Sequence, residues 1–118
     1  MKIACVILGT RGDVQPMIAL ATGLMAKGHE VTVCAPSENE KLAQMYNCRF
    51  VPFGPEIRKS LKENPEKQKG GVAVNISPRE GKKYILEQIH RLPDIIKGVD
   101  MILGAGIVVG LQTAADRL

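Results

Sequence analysis

Residues 2 to 8, KIACVIL, form a continuous apolar run after an opening lysine, and the run ends at Gly9. A strand with one face in water alternates apolar and polar residues, whereas a strand covered on both faces is apolar throughout. Covered strands of this kind occur in parallel sheets that have helices packed on both sides. The run therefore predicts a central strand of a parallel sheet.

Strand and helix patterns alternate along the rest of the chain. A tight turn at residues 9–13 is expected to lead into a helix near Pro16, which ends at Gly28. A Ser37/Glu40 capping box is expected to open a second helix that ends near Tyr46. The remaining predicted elements are strands at 29–35, 49–53 and 99–103, a helix from Pro78 that Pro93 bends or divides, a Gly104–Gly106 turn and a helix at 107–118.

The alternation predicts an α/β fold with right-handed crossovers between parallel strands. With the first strand central, the strand order is 3-2-1-4, and helices cover both faces in a Rossmann-like, three-layer α/β/α arrangement. The 118 residues fit one domain with one modest core.

The net charge of +4 comes from one segment, because residues 56 to 83 contain eight Lys or Arg and four Glu. Two interpretations remain open: a solvated loop, or a surface that meets anionic lipid head groups or an acidic partner. Aromatic residues make up 3% of the chain, so stacking platforms for nucleic acid are absent and no nucleic-acid partner is expected.

Cys5, Cys34 and Cys48 have neither CxxC nor metal-type spacing, so we expect reduced, structural thiols and no metal site. The sequence has no signal-peptide pattern and no run of 18 apolar residues. We therefore expect a cytoplasmic protein, with peripheral membrane contact as an open alternative.

Ligands of open α/β sheets bind beyond the carboxyl ends of the strands where the strand order reverses, which here is between the first and fourth strands. Two glycine-containing segments follow these strands, at residues 9–16 and 104–106, and both Gly104 and Gly106 are candidate ligand-binding residues. A dinucleotide fingerprint and a Walker A motif are both missing, so we expect no bound cofactor. His29 lies at the start of its strand, on the edge of the sheet opposite the strand carboxyl ends, and His90 is expected at an ordinary helix surface.

The segment GTRGDVQP at residues 9–16 follows a first strand of the form MKIACVIL. Together they resemble the opening of sterol and natural-product glycosyltransferases of the GT-B fold. Further matches are IALA (18–21), KGHEVTV (27–33), FVPFG (50–54) and Asp100 before a glycine-rich turn.

The resemblance implies an N-terminal, acceptor-binding domain of an inverting transferase whose C-terminal domain binds a nucleotide sugar, commonly UDP-glucose. Asp13 then matches the general base that takes the proton of an acceptor hydroxyl. Helix capping alone is the alternative role for Asp13. Thr10 and Gly12 match groups that contact the donor phosphate, and Arg11 either neutralises that phosphate or pairs with Asp13.

A complete GT-B enzyme has a second domain, so we expect residues 1–118 to be a partial N-terminal domain that is inactive alone. The alternative is an accessory subunit that partners a separate donor-binding chain. The acceptor, whether sterol, other lipid or natural product, is not specified by the sequence. The apolar fourth strand and last helix also predict self-association of the chain.

Overall fold

The computed structural model describes residues 1–9, 11–54, 78–106, 108 and 110–116. Its four strands form one parallel sheet in the order β3-β2-β1-β4, which confirms the order predicted from the sequence. The strands are β1 (Lys2–Leu8), β2 (Glu30–Ala35), β3 (Arg49–Pro52) and β4 (Met101–Gly106). The described helices are α1 (Arg11–Ala26), α2 (Glu40–Met45), α3 (Pro78–Ile95) and α4 (Leu111–Asp116).

Both faces of the sheet are covered, as the apolar run of β1 predicted. Alternate β1 residues enter two separate clusters of buried side chains: Ile3, Cys5 and Ile7 on one face, and Ala4, Val6 and Leu8 on the other. The first face also holds residues of α1 and α2, and the second holds residues of α3 and α4. Each large aliphatic side chain buried in this way contributes about 1.5–3 kcal/mol relative to an exposed one.

Helix α1 begins at Arg11, five residues before Pro16, so the predicted tight turn at residues 9–13 is wrong. Val14 is fully buried against the sheet, and this burial favours a helix directly after β1. Pro16 lies inside the helix, where its missing N–H leaves the Gly12 carbonyl without its intrahelical donor. Arg11, Gly12 and Asp13 therefore form the first helical turn.

The predicted capping box at the start of α2 is also wrong. Residues Ser37–Asn39 form a 3-10 turn, and α2 follows with Asn39 as its N-cap and without a side-chain capping bond. The Asn39 side chain is buried and donates backwards to the Pro36 carbonyl at 3.3 Å. The helix from Pro78 is confirmed, but it continues through Pro93 to Ile95 and is not divided.

Strand β4 begins two residues later than predicted and includes the glycines that were assigned to a turn. Gly104 pairs with Val6 and Gly106 pairs with Leu8, so β4 stays in register with β1 to its last residue. The expected helix at 107–118 is shorter, and α4 begins at Leu111; residues 107, 109, 117 and 118 lie outside the described part of the chain.

Most of the basic segment also falls outside the described residues, which omit 55–77. Its described members, Arg79, Lys82 and Lys83, are exposed on α3. Among the residues that the structure describes, no helix is long and apolar enough to cross a bilayer.

Candidate functional site

The carboxyl ends of β1 and β4 meet at the point where the strand order reverses. Leu8 and Gly106 are the last paired residues of the two strands, so the two strands end side by side at this edge of the sheet. We call this place, defined by Gly9, Asp13 and Gly106, the switch-point region. Parallel sheets bind their ligands at such a position.

Asp13 lies directly over the carboxyl end of β1. A side chain on Gly9 would place its Cβ 2.8 Å from the Cβ of Asp13, closer than real Cβ contacts. Gly9 thus leaves the space that the Asp13 side chain occupies. Asp13 is also the third residue of α1, where the helix dipole favours a carboxylate.

The observed start of α1 places Asp13 after the N-cap position. A capping residue precedes the first helical residue, whereas Asp13 lies inside the first turn. Arg11, Gly12 and Asp13 are all exposed there, and Thr10 lies outside the described residues. A phosphate contact from Thr10, Arg11 or Gly12 therefore stays a prediction.

Gly104 and Gly106 have packing roles in this structure. A Cβ on Gly104 would meet the Leu111 side chain of α4, so the glycine lets α4 approach β4. Gly106 has a φ of 78° and lies against the backbone of Leu8, with its ideal Cβ position 3.0 Å from the Leu8 carbonyl carbon. Ligand binding by either glycine stays a prediction.

One buried polar contact, between α3 and the start of α4, was missed in the sequence. Gln88 of α3 is 3% exposed, and its Oε1 accepts a hydrogen bond from the Gly110 N–H at 3.0 Å. The sequence did contain one sign of this contact: a glutamine four residues before Leu92, on the apolar stripe of the predicted helix. Such a residue indicates a buried partner, because an unpaired amide is costly in the core.

Helix α3 is also attached to the carboxyl end of β3. The Arg91 guanidinium donates to the Pro52 carbonyl at 2.9 Å and lies 5.6 Å from the centroid of the Phe53 ring. Glu87, one turn earlier, pairs with Arg91 at 3.2 Å. Arg91 thus attaches α3 to the end of β3, and Gln88 attaches the same helix to the start of α4.

The remaining candidate groups lie away from the switch-point region. His29 is at the amino edge, where its Nδ1 is 3.1 Å from the amino group of Met1, and His90 is exposed on α3. Within the described ranges, no three His, Cys, Asp or Glu side chains are grouped to hold a metal ion.

Three free cysteines are buried in the core. Burial, with a smaller contribution from Cys48, raises the pKa of Cys5 to about 11. Burial, with a smaller contribution from Cys5, raises the pKa of Cys34 to about 12. Burial also raises the pKa of Cys48. All three thiols therefore stay protonated near neutral pH and are poor nucleophiles.

Residues 3–97 match the model of the glycosyltransferase family 28 N-terminal domain. The chain belongs to this family. The family 28 chain is 34% identical over 118 residues to O-mycaminosyltylonolide 6-deoxyallosyltransferase of Streptomyces fradiae, and the match covers 92% of the chain and 27% of that relative. It is 42% identical over 52 residues to sterol 3-beta-glucosyltransferase of Emericella nidulans, which covers 44% of the chain and 4% of the relative.

The fold of the family 28 chain is similar to that of MurG from Acinetobacter baumannii. The TM-score is 0.58 at 24% identity, and the match covers 98% of the chain and 32% of the MurG chain. The resemblance to GT-B glycosyltransferases inferred from the sequence is thus confirmed. The chain spans roughly a quarter to a third of the length of relatives that match over most of it, and a far smaller share of the sterol glucosyltransferase.

Proposed function

We propose that this domain forms the acceptor-binding part of an inverting glycosyltransferase, which moves a hexose from a nucleotide sugar to an acceptor hydroxyl. The observation that carries the proposal is the position of Asp13, exposed over Gly9 at the switch point of the sheet. Membership of family 28 supports the reaction class.

In the proposed reaction, the Asp13 carboxylate accepts the proton of the acceptor hydroxyl. The acceptor oxygen forms a bond to the anomeric carbon of the sugar while the bond from that carbon to the diphosphate oxygen breaks. Attack from the face opposite the leaving group inverts the anomeric configuration. The nucleoside diphosphate takes the electron pair, and the N–H groups at the first turn of α1 favour its negative charge.

UDP-glucose is the donor that we propose, and a sterol, other lipid or natural product is the proposed acceptor. The names of the relatives include both a glucosyltransferase and a 6-deoxyallosyltransferase, so the sugar varies among similar proteins. Competition between UDP-glucose and other nucleotide sugars in the complete enzyme tests the donor. Preference for a deoxysugar donor would overturn the glucose assignment.

The test of the catalytic proposal is Asp13→Asn in the complete enzyme that contains this domain. Loss of a general base is expected to lower kcat by roughly 100-fold or more, with a smaller change in acceptor KM. The melting temperature should change little, since the two side chains have nearly the same shape. Asp94→Asn is the matched control, because Asp94 is exposed near the end of α3 that leads to the amino edge. Near-normal turnover of the Asp13 variant would remove the catalytic role.

Residues 1–118 alone are expected neither to transfer sugar nor to bind UDP-glucose tightly. The first turn of one helix offers a few N–H groups, which are too few to hold a diphosphate against water. Calorimetry with UDP-glucose should therefore give a Kd well above about 1 μM, the value that corresponds to about −8 kcal/mol. Micromolar binding would show that a donor site lies within these residues.

We also propose that the isolated domain self-associates through β4. This strand is at the edge of the described sheet, and Met101 is 42% exposed on it. Helix α4 is a weaker candidate for the contact, because Ala114 is buried and Leu111 packs in the cluster formed with α3.

A further inference from the structure

Helix α3 presents two large apolar side chains to solvent within a cationic surface. Ile85 and Leu86 are adjacent in the chain and are 43% and 44% exposed. Residues three, four and seven apart lie on one side of a helix, so Leu86 shares its side of α3 with three exposed cations. These cations are Arg79, Lys82 and Lys83. We call the five residues the α3 patch.

The α3 patch faces away from the sheet. The other side of the helix supplies Leu92 and Ile96, which are fully buried in the core, and Gln88, which is 3% exposed. Leu86 is two residues from Gln88, and two residues turn about 200° around an α-helix. Packing against the sheet therefore does not account for an apolar residue at position 86.

The positive charge of the α3 patch is not neutralised by neighbouring side chains. Within the described ranges, no ion pair joins Arg79, Lys82 or Lys83 to a carboxylate. Glu87, on the same helix, is paired with Arg91 at 3.2 Å. Residues 56–83, which run into the patch, contain eight Lys or Arg and four Glu, a surplus of four positive charges. The patch is therefore complementary in charge to an anionic surface.

We propose that the α3 patch docks this domain on an anionic lipid bilayer. The three cations meet the phosphates of the head groups, and Ile85 and Leu86 enter the boundary between head groups and acyl chains. A stable protein interface uses about 20–30 residues on each side, whereas two apolar side chains suit a fluid surface that needs no shaped counterpart. The inference goes beyond the sugar transfer proposed above and does not depend on Asp13.

Helix α2 shows why the charge matters as much as the apolar pair. Met45 and Tyr46, at the end of that helix, are 75% and 47% exposed, more than the pair on α3. The exposed charged residues of α2 are Glu40 and Lys41, whose charges cancel. We therefore expect no docking at α2, and its residues supply matched controls.

Co-sedimentation with vesicles tests the proposal in the complete enzyme that contains this domain. Vesicles of phosphatidylcholine mixed with phosphatidylglycerol are expected to bind it more tightly than vesicles of phosphatidylcholine alone. Lys82→Gln/Lys83→Gln should weaken binding to the mixed vesicles roughly 10- to 30-fold at low salt, and less at high salt, where the charges are screened. Ile85→Gln/Leu86→Gln should weaken it roughly tenfold at either salt concentration, because apolar insertion is not screened.

Two control variants separate a local site from general effects. Lys27→Gln/Lys41→Gln removes the same charge from exposed positions at the end of α1 and on α2, and Met45→Gln removes a more exposed apolar side chain. Both controls should bind the mixed vesicles nearly as tightly as the wild type. All these positions are exposed and glutamine is a good helix former, so the melting temperatures should change little.

Three results would overturn the proposal. The first is equal binding of the complete enzyme to vesicles with and without phosphatidylglycerol, and the second is an equal loss in the α3 variants and their controls. The third is binding to soluble polyglutamate but not to the mixed vesicles, lost in Lys82→Gln/Lys83→Gln, which would assign the patch to an acidic protein. None of these measurements requires sugar transfer, so they stand apart from the test of Asp13.

Discussion

Single glycines determine how closely β1, β4 and the helices approach each other. Gly9 leaves the space above it to Asp13, and Gly106 lies against the Leu8 backbone at a φ of 78°. By contrast, Gly23 of α1 has nothing within 4 Å of its ideal Cβ position. An added methyl group would therefore meet neighbouring atoms at Gly9 and Gly106 but open space at Gly23.

We expect Gly106→Ala to destabilise the domain by about 2–4 kcal/mol, because its Cβ would overlap the Leu8 carbonyl and its φ is unfavourable for alanine. Gly23→Ala is the matched variant and should stabilise the domain by about 0.5–1 kcal/mol, since alanine is the better helix former. Urea unfolding of both variants measures the two changes. Equal stability of the two variants would show that Gly106 is not held against β1.

The residues of the candidate site and its surroundings were only partly predictable from the sequence, because some depend on a local pattern and others on how distant elements pack. GTRGDVQP is a local pattern, so Asp13 and its neighbours were found from the sequence. Gln88 and Gly110 are 22 residues apart, and their contact depends on how α3 and α4 pack. No local spacing encodes that contact, although a glutamine on an apolar stripe indicated that some partner existed.

Among the elements, strand positions followed from the sequence more closely than helix starts. The apolar run of β1 matches the observed Lys2–Leu8, whereas α1 begins before the expected Pro16. Proline and a turn-like glycine pattern favoured a late start, but burial of Val14 outweighs that local preference. Similarly, Gly104 and Gly106 lack β propensity, yet pairing with β1 keeps them in β4.

Strand β4 carries the prediction on self-association. An edge strand exposes N–H and C=O groups that pair with another chain, and a charged side chain on it opposes such pairing. Met101→Lys is therefore expected to shift residues 1–118 from a dimer or larger oligomer to a monomer in sedimentation equilibrium. Met45→Lys is the control, because Met45 is 75% exposed on α2, away from β4. A wild-type mass fixed at the monomer value across micromolar concentrations would refute association.

In the whole molecule, the sheet separates two apolar clusters, and each contains at least one buried thiol. Cys5 and Cys48 belong to the cluster under α1 and α2, and Cys34 belongs to the cluster under α3 and α4. The central apolar strand predicted this two-sided core. The sequence could not show how strongly burial suppresses ionisation of the thiols, because that depends on the assembled layers.

These thiols make the free energy of unfolding depend on pH in the alkaline range. In the unfolded chain they ionise near the ordinary value of 9.0, whereas in the fold the pKa of Cys5 is about 11 and that of Cys34 is about 12. The contribution of the protonated thiols to the free energy of unfolding is fully present below pH 9. Above pH 9 the thiols of the unfolded chain lose protons that the folded protein retains. We therefore expect the free energy of unfolding to fall from about pH 9 to pH 11.

Cys5→Ala/Cys34→Ala isolates this effect, because lysine and tyrosine ionisation is common to both proteins. Urea unfolding between pH 7 and pH 11 should show a shallower decline in the double variant. The same slope in both proteins would mean that the thiols do not cause the decline.

The location of Asp13 on a helix also has a consequence for engineering. Its neighbour Val14 is buried in the core, so packing of α1 on the sheet fixes the position of the first helical turn that holds the carboxylate. Surface segments elsewhere in the domain are then open to exchange between relatives without shifting the carboxylate that we propose as the general base. Chimeras that keep residues 1–26 and replace later surface segments are accordingly the rational starting point for changing the acceptor in the function that we propose.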